Sequence, residues 1–152
     1  MKGITIKEPW ASLIVNGYKK YEFRSFKTNY RGKILIHAGL NLESDNALKF
    51  KDYNLNYGHG EIIGEAYLTD CILVTDEFEN ELYNINPLVY GKSKHARKYA
   101  WKLDNVIMYE SMKREFLIRE NLDFGIMMVI SKFILKLDFF TIYISYVNIL
   151  YV

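Results

Sequence analysis

Lys19, Glu22 and Arg24 are the residues of this chain whose types and spacing can do chemistry. They sit in the run Gly17-Tyr18-Lys19-Lys20-Tyr21-Glu22-Phe23-Arg24. Alternation along an extended strand puts Lys20, Glu22 and Arg24 on one face and Tyr21 and Phe23 on the other. A carboxylate between two cations on one face is held ionised and oriented. Around it lie more cations: Lys27 and Arg31 follow, and a second group, Lys92, Lys94, Arg97 and Lys98, with His95 among them, lies far along the chain. If the fold joins the two groups they neutralise several phosphates, while Tyr18, Tyr21, Tyr30 and Tyr99, interleaved with them, stack on unpaired bases. Ordinary solvated surface is the alternative for the charges. For Glu22 and Arg24 it is an ion pair that steadies a strand and touches no ligand.

The same residues offer a catalytic reading. A lysine whose proton affinity is reduced by a neighbouring lysine and by burial serves as a base, so Lys19 beside Lys20 is the candidate, with Glu22 as its acidic partner. Cys71, in the apolar run Leu68-Thr69-Asp70-Cys71-Ile72-Leu73-Val74, reads as a buried core thiol. His37, His59 and His95 are far apart and no His/Cys pair has ligand spacing, so no metal is expected. The Gly58-His59-Gly60 turn lacks the strand and helix that would make a phosphate loop, and no cofactor is expected.

These side chains must be positioned by short elements. Lys2–Ile6 alternates as a strand, Lys7-Glu8 reads as a turn, and Pro9 opens a helix whose Trp10, Leu13 and Ile14 share a face until Gly17 stops it. The motif strand follows, then a polar loop, residues 27–32, and a strand over Lys33–Ala38 with Ile34 and Ile36 on one face and Leu35 and His37 on the other. A helix is expected to start within Asn41-Leu42-Glu43-Ser44, with acids in its first turn, and to run to about Phe50. Glu61–Val74 is the longest strand signal, and Gly64 within it predicts a bulge or a close approach of backbone. Thr75 is an N-cap with Asp76, Glu77 and Glu79 behind it, opening a helix to about Leu82. Pro87 and Gly91 bracket a loop, and Tyr99–Glu110 alternates as a strand with Ala100, Lys102, Asp104 and Val106 on one side and Trp101, Leu103 and Asn105 on the other.

At 152 residues, half of them hydrophobic, the chain is long enough for one domain with a real core. Its net charge of +2 hides segregation: residues 1–40 carry +6, residues 41–91 carry −8, residues 92–120 carry +4 and the rest balance. Two basic blocks around an acidic one suit a one-sided phosphate-binding face. A single cysteine and no apolar leader point to the cytoplasm. From Phe124 to Val152, 21 of 29 residues are hydrophobic, but the longest uncharged run, Phe139–Val152, has 14 residues, short of the ~20 that cross a bilayer. No membrane span is expected.

The order of these segments, with Gly17, Lys19, Glu22 and Arg24 as its most specific part and with "GEIIGEAYLTDCILV" and "YAWKLDNV" behind it, resembles the ASCH domain. That module, named for activating-signal-cointegrator homology, belongs to the PUA-like superfamily. The resemblance runs from about Lys2 to about Tyr109. It implies an α+β fold, a PUA-like small β-barrel with flanking helices, over residues 1–118. Residues 119–152 are then a hydrophobic extension, with the closing strand expected within Arg119–Ile130; period-2 stretches beyond it, such as residues 141–147, suit an added edge strand, a homodimer contact or a peripheral membrane contact. The resemblance also implies a module that binds RNA or single-stranded nucleic acid in a cleft lined by Lys20, Arg24, Lys27, Tyr30, Arg31, Lys94, Arg97 and Lys98. One branch of the family, the acetylcytidine amidohydrolases, uses a lysine and a threonine on this strand and a downstream glutamate. Lys19 matches the lysine and Glu79 or Glu81 the downstream acid, but Glu22 stands at the threonine position. A hydrolase acting on a modified nucleoside or on RNA through Lys19 and Glu22 is thus the alternative, and a protein-interaction adaptor the third reading.

Overall fold

A computed structural model describes residues 2–91 and 98–110, which belong to one compact unit, residues 1–114. Its five strands are β1 (Lys2–Glu8), β2 (Tyr21–Arg24), β3 (Gly32–Leu42), β4 (Glu61–Leu73) and β5 (Tyr99–Met108). They form one mixed sheet in the order β1-β3-β4-β5-β2, with β1 parallel to β3 and every other pair antiparallel. The sheet curls into a half-barrel with β1 and β2 at its two edges and helices beside it, the α+β class expected. The helices are α1 (Trp10–Val15), α2 (Ser44–Lys49), α3 (Asp76–Ile85) and α4 (Pro87–Tyr90), with a 3-10 turn at Lys51–Tyr53.

Two cores hold the unit together. Inside the curl, Ile4, Ile6, Ile34, Ile36, Ile63 and Leu68 pack with Ile14 and Val15 of α1 and with Trp101 and Leu103 of β5. The second core, Leu13, Phe50, Leu82, Val89 and Tyr90, has Tyr21 and Phe23 packed against it. Strand β2 therefore runs between the two cores. Burying an aliphatic side chain of this size contributes roughly 1.5–3 kcal/mol, so the curl is held chiefly by its interior isoleucines and leucines.

Several local expectations are met. Thr75 caps α3, its hydroxyl accepting from the Phe78 N–H at 3.2 Å. Gly64 sits at an irregularity of the β3–β4 ladder, and a Cβ there would stand 2.5 Å from the Ile107 carbonyl oxygen and 2.9 Å from Val15 Cγ1.

Others are corrected. Lys7 and Glu8 are not a turn: β1 continues to Glu8, because its buried carboxylate accepts from the Ser12 N–H, the Ser12 hydroxyl and the Gly58 N–H. The stretch after α3 is not a loop but α4, capped by the Asn86 side chain, which accepts from the Leu88 and Val89 N–H groups. The strict alternation expected of β5 breaks at Asn105, whose φ of 50° and the nearby shift in the β4–β5 register turn Val106 onto the interior core. Cys71 is half-buried, and its Sγ accepts from the Thr28 N–H at 3.5 Å. Among the described residues no helix is long and apolar enough to cross a membrane. The expected C-terminal strands, 119–152, lie outside the described residues.

Candidate nucleic-acid interface

The end of α1 sets the geometry of the site. Gly17 adopts φ +80°, which glycine reaches without steric cost, and the N–H groups of Tyr18 and Lys19 then both donate to the Leu13 carbonyl, at 2.9 and 3.1 Å. This reversal turns Lys19 inward, leaving it 4% exposed. A buried ammonium must be paired. Lys19 Nζ donates to the Tyr21 carbonyl at 2.6 Å and to Glu22 Oε2 at 2.7 Å. The cation that joins Arg24 in flanking Glu22 is therefore Lys19 rather than Lys20. The reason is that β2 begins only at Tyr21, so residue 20 does not share the strand's alternation. Lys20 is exposed, and its backbone N–H donates to the Tyr90 hydroxyl at 2.8 Å. Burial pushes that phenol above its usual pKa.

Glu22 lies opposite Trp101 and Arg24 opposite Tyr99, which directs both toward the interior of the curl, while Tyr21 and Phe23 face the second core. The alternation read from sequence holds over these four residues. Glu22 Oε1 is 3.5 Å from Arg24 Nε, and Arg24 Nη2 donates across the gap to the Thr5 carbonyl on β1 at 2.7 Å. Thr5 Oγ1 in turn contacts His37 Nδ1 at 3.2 Å. A polar row thus runs Lys19, Glu22 and Arg24 to Thr5 on the opposite edge strand, and from Thr5 to His37 on β3. Among the described residues Arg24 Nε is buried without a hydrogen-bond acceptor, and its guanidinium carbon lies 5.9 Å from the Trp101 ring.

The remaining candidates divide by what they touch. Lys20, Lys27 and Lys98 are exposed and make no side-chain ion pair or hydrogen bond among the described residues. Lys98 is next to Tyr99, the pairing partner of Arg24, so Lys98 and Lys27 both belong to the Arg24 end of β2. Arg31 is engaged by Asp70 Oδ1 at 3.1 Å and by the Thr28 and Tyr30 carbonyls. Tyr30 donates its hydroxyl to the Lys33 carbonyl at 2.8 Å, and Lys2 Nζ sits 4.6 Å from its ring centre. Tyr21 is packed edge-on against Phe78, and Tyr18 against Tyr53. Glu79 is half-buried and Glu81 exposed on α3. Lys94 and Arg97 lie outside the described residues. Among the described residues no group of three His, Cys, Asp or Glu side chains is arranged to hold a metal.

Four residues at or near the site escaped the sequence reading. Thr5 and His37 enter through strand pairing, which no local pattern reveals. Phe26 and Trp101 form an edge-on pair, with ring centres 5.3 Å apart and planes at 90°, beside Arg24. The only signal for Phe26 was an aromatic directly after the motif strand.

A family model described as the ASCH domain matches residues 4–114. The crystal structure of ASCH from Zymomonas mobilis is similar over 80% of this chain and 80% of that one, with 19% identity and a TM-score of 0.46. A mutant of the same protein gives 19% identity and a TM-score of 0.46 over 80% and 82%. No curated protein matches the chain at a significant level.

Proposed function

This chain belongs to the ASCH domain family, and from that premise we propose that it is a cytoplasmic module binding RNA or single-stranded nucleic acid at the mouth of the half-barrel, beside Arg24. The observation that carries this reading is that chain order and strand register bring Arg24, Lys27 and Lys98 to one end of the β2–β5 pair, the two lysines exposed and without side-chain partners among the described residues. Unpaired ammonium groups beside a guanidinium held at a cleft edge are suited to phosphates, which Arg takes by its fork and Lys as a point charge. Lys94 and Arg97 belong to the same proposed basic face by sequence. Each phosphate neutralised on a single strand contributes a slope of about −0.7 in log affinity against log salt. Binding of a labelled single-stranded RNA at several salt concentrations tests this. Steep salt dependence, with weaker binding by Arg24→Ala, is expected; no binding at low salt overturns it and favours the adaptor reading.

One observation favours the hydrolase as a second reading. Lys19 is buried and donates directly to Glu22, a lysine–carboxylate pair at a cleft of the kind that moves protons. Glu22 brings no hydroxyl nucleophile, so the substrate would be attacked by water. RNA cleavage or acetate release from acetylcytidine, abolished in Lys19→Ala, would establish it; intact RNA and intact acetylcytidine with the wild type would remove it.

A further inference from the structure

Phe26 is 55% exposed although it sits directly beside the interior core. An aromatic ring of this size gains roughly 1.5–3 kcal/mol on full burial, which Phe26 forgoes in part. Its position is fixed. Trp101 Nε1 donates to the Phe26 carbonyl at 3.3 Å, Trp101 meets the ring edge-on, and two residues later the Thr28 N–H donates to Cys71 Sγ. An edge-to-face pair engages at most one face of the Phe26 ring and leaves the other free of Trp101. Arg24 lies on the Trp101 side; Lys27 follows Phe26 directly in the chain and Lys98 precedes Tyr99, the pairing partner of Arg24, and both lysines are exposed.

We propose that Phe26, steadied by Trp101, is the platform on which one unpaired nucleobase stacks, with the adjoining phosphates on Lys27 and Lys98. The proposal rests on the nucleic-acid reading and deepens it: the ligand class is a single strand whose bases are open, and the selection against duplex comes from a ring that only an unstacked base can reach. Stacking of this kind tolerates any base, because every base has a flat face. Tyr30, with its hydroxyl committed to Lys33, is left as a structural residue of the neighbouring loop.

The test is binding of a labelled single-stranded RNA by the full chain, for the wild type and for Phe26→Leu and Phe26→Tyr, with a duplex of the same length as competitor. Phe26→Leu is expected to weaken binding by about tenfold with an unchanged salt slope, since stacking is worth ~1–3 kcal/mol per base and releases no counterions. Phe26→Tyr should bind like the wild type, and the duplex should compete poorly. Wild-type-like affinity in Phe26→Leu, or a duplex that competes as well as the single strand, overturns the platform while leaving nucleic-acid binding intact. Failure of the wild type to bind RNA at low salt removes both. The duplex arm uses only the wild type, so it decides the matter even where Phe26→Leu folds badly.

Discussion

Arg24 Nη2 donates to the Thr5 carbonyl at 2.7 Å, so a side chain of one edge strand, β2, closes against the backbone of the other, β1. In a sheet with open edges this contact crosses the gap that strand pairing leaves. A hydrogen bond from a charged donor contributes about 1.5–3 kcal/mol. Arg24→Ala should lower stability by roughly that amount. Arg24→Lys should restore little of it, because an ammonium on a flexible stem cannot reproduce the fork that spans Glu22 and Thr5. Urea unfolding of the three proteins checks this; equal midpoints would show that the gap is held elsewhere.

Glu8 joins β1, α1 and the loop before β4 through three donated hydrogen bonds. It is 1% exposed, so truncation takes the acceptor from the buried Ser12 and Gly58 N–H groups, while the Ser12 hydroxyl keeps the Asn56 carbonyl at 3.2 Å. Glu8→Ala is expected to cost roughly 3–5 kcal/mol. Ser12→Ala, which removes one donor and leaves the carboxylate two partners, should cost about 1 kcal/mol. Chemical denaturation distinguishes the two, and a Glu8→Ala loss no larger than that of Ser12→Ala would contradict the assigned role.

Gly64 is where backbone meets backbone. A methyl group there collides with the Ile107 carbonyl at 2.5 Å and with Val15, which belongs to the interior core. Backbone cannot swing aside as a long side chain does, so Gly64→Ala should destabilise by about 1–3 kcal/mol. A thermal melt reads the effect, and an unchanged midpoint would mean that the β4–β5 pair yields at little cost.

Tyr109 carries a pH dependence with a definite sign. Burial first, and then the hydrogen bond it donates to Glu65 at 2.8 Å together with that carboxylate's charge, push its phenol far above the ordinary range. Lys33 Nζ holds the other Glu65 oxygen at 2.7 Å. The folded state keeps the phenolic proton while the unfolded chain releases it near pH ~10, so the stabilisation is complete below that pH and is lost as pH rises beyond it. The loss should approach about 1.4 kcal/mol per pH unit. Tyr109→Phe should be the less stable protein at pH 8, lacking the bond to Glu65, and should lose less stability than the wild type between pH ~9.5 and ~11. Parallel losses in the two proteins would show that this phenol does not couple to folding.

Lys27 and Lys98 are expected to act through charge alone. Removing both in Lys27→Ala/Lys98→Ala should reduce the salt slope of RNA binding by about 1.4, two phosphate contacts at ~0.7 each. It should leave urea stability unchanged, since neither side chain has a partner among the described residues. A slope equal to that of the wild type would place the phosphates elsewhere.

Local pattern determined which way side chains point. Alternation along residues 21–24 put Glu22 and Arg24 on one face and Tyr21 and Phe23 on the other, Gly64 marked a close approach, and Thr75 announced the start of α3; each follows from backbone geometry within a few residues. Tertiary structure decided what those side chains meet. The reversal at Gly17 made Lys19, not Lys20, the partner of Glu22, and the curl of the sheet brought Thr5 to Arg24 from the opposite edge. One left-handed residue, Asn105, moved Val106 onto the interior core, and the loop after β2 left Phe26 half in water against Trp101. Partners such as Arg24 and Thr5 are 19 residues apart, and Phe26 and Trp101 are 75 apart. Periodicity carries no information over such separations, because strand order and curl are set by how the whole sheet buries its two cores.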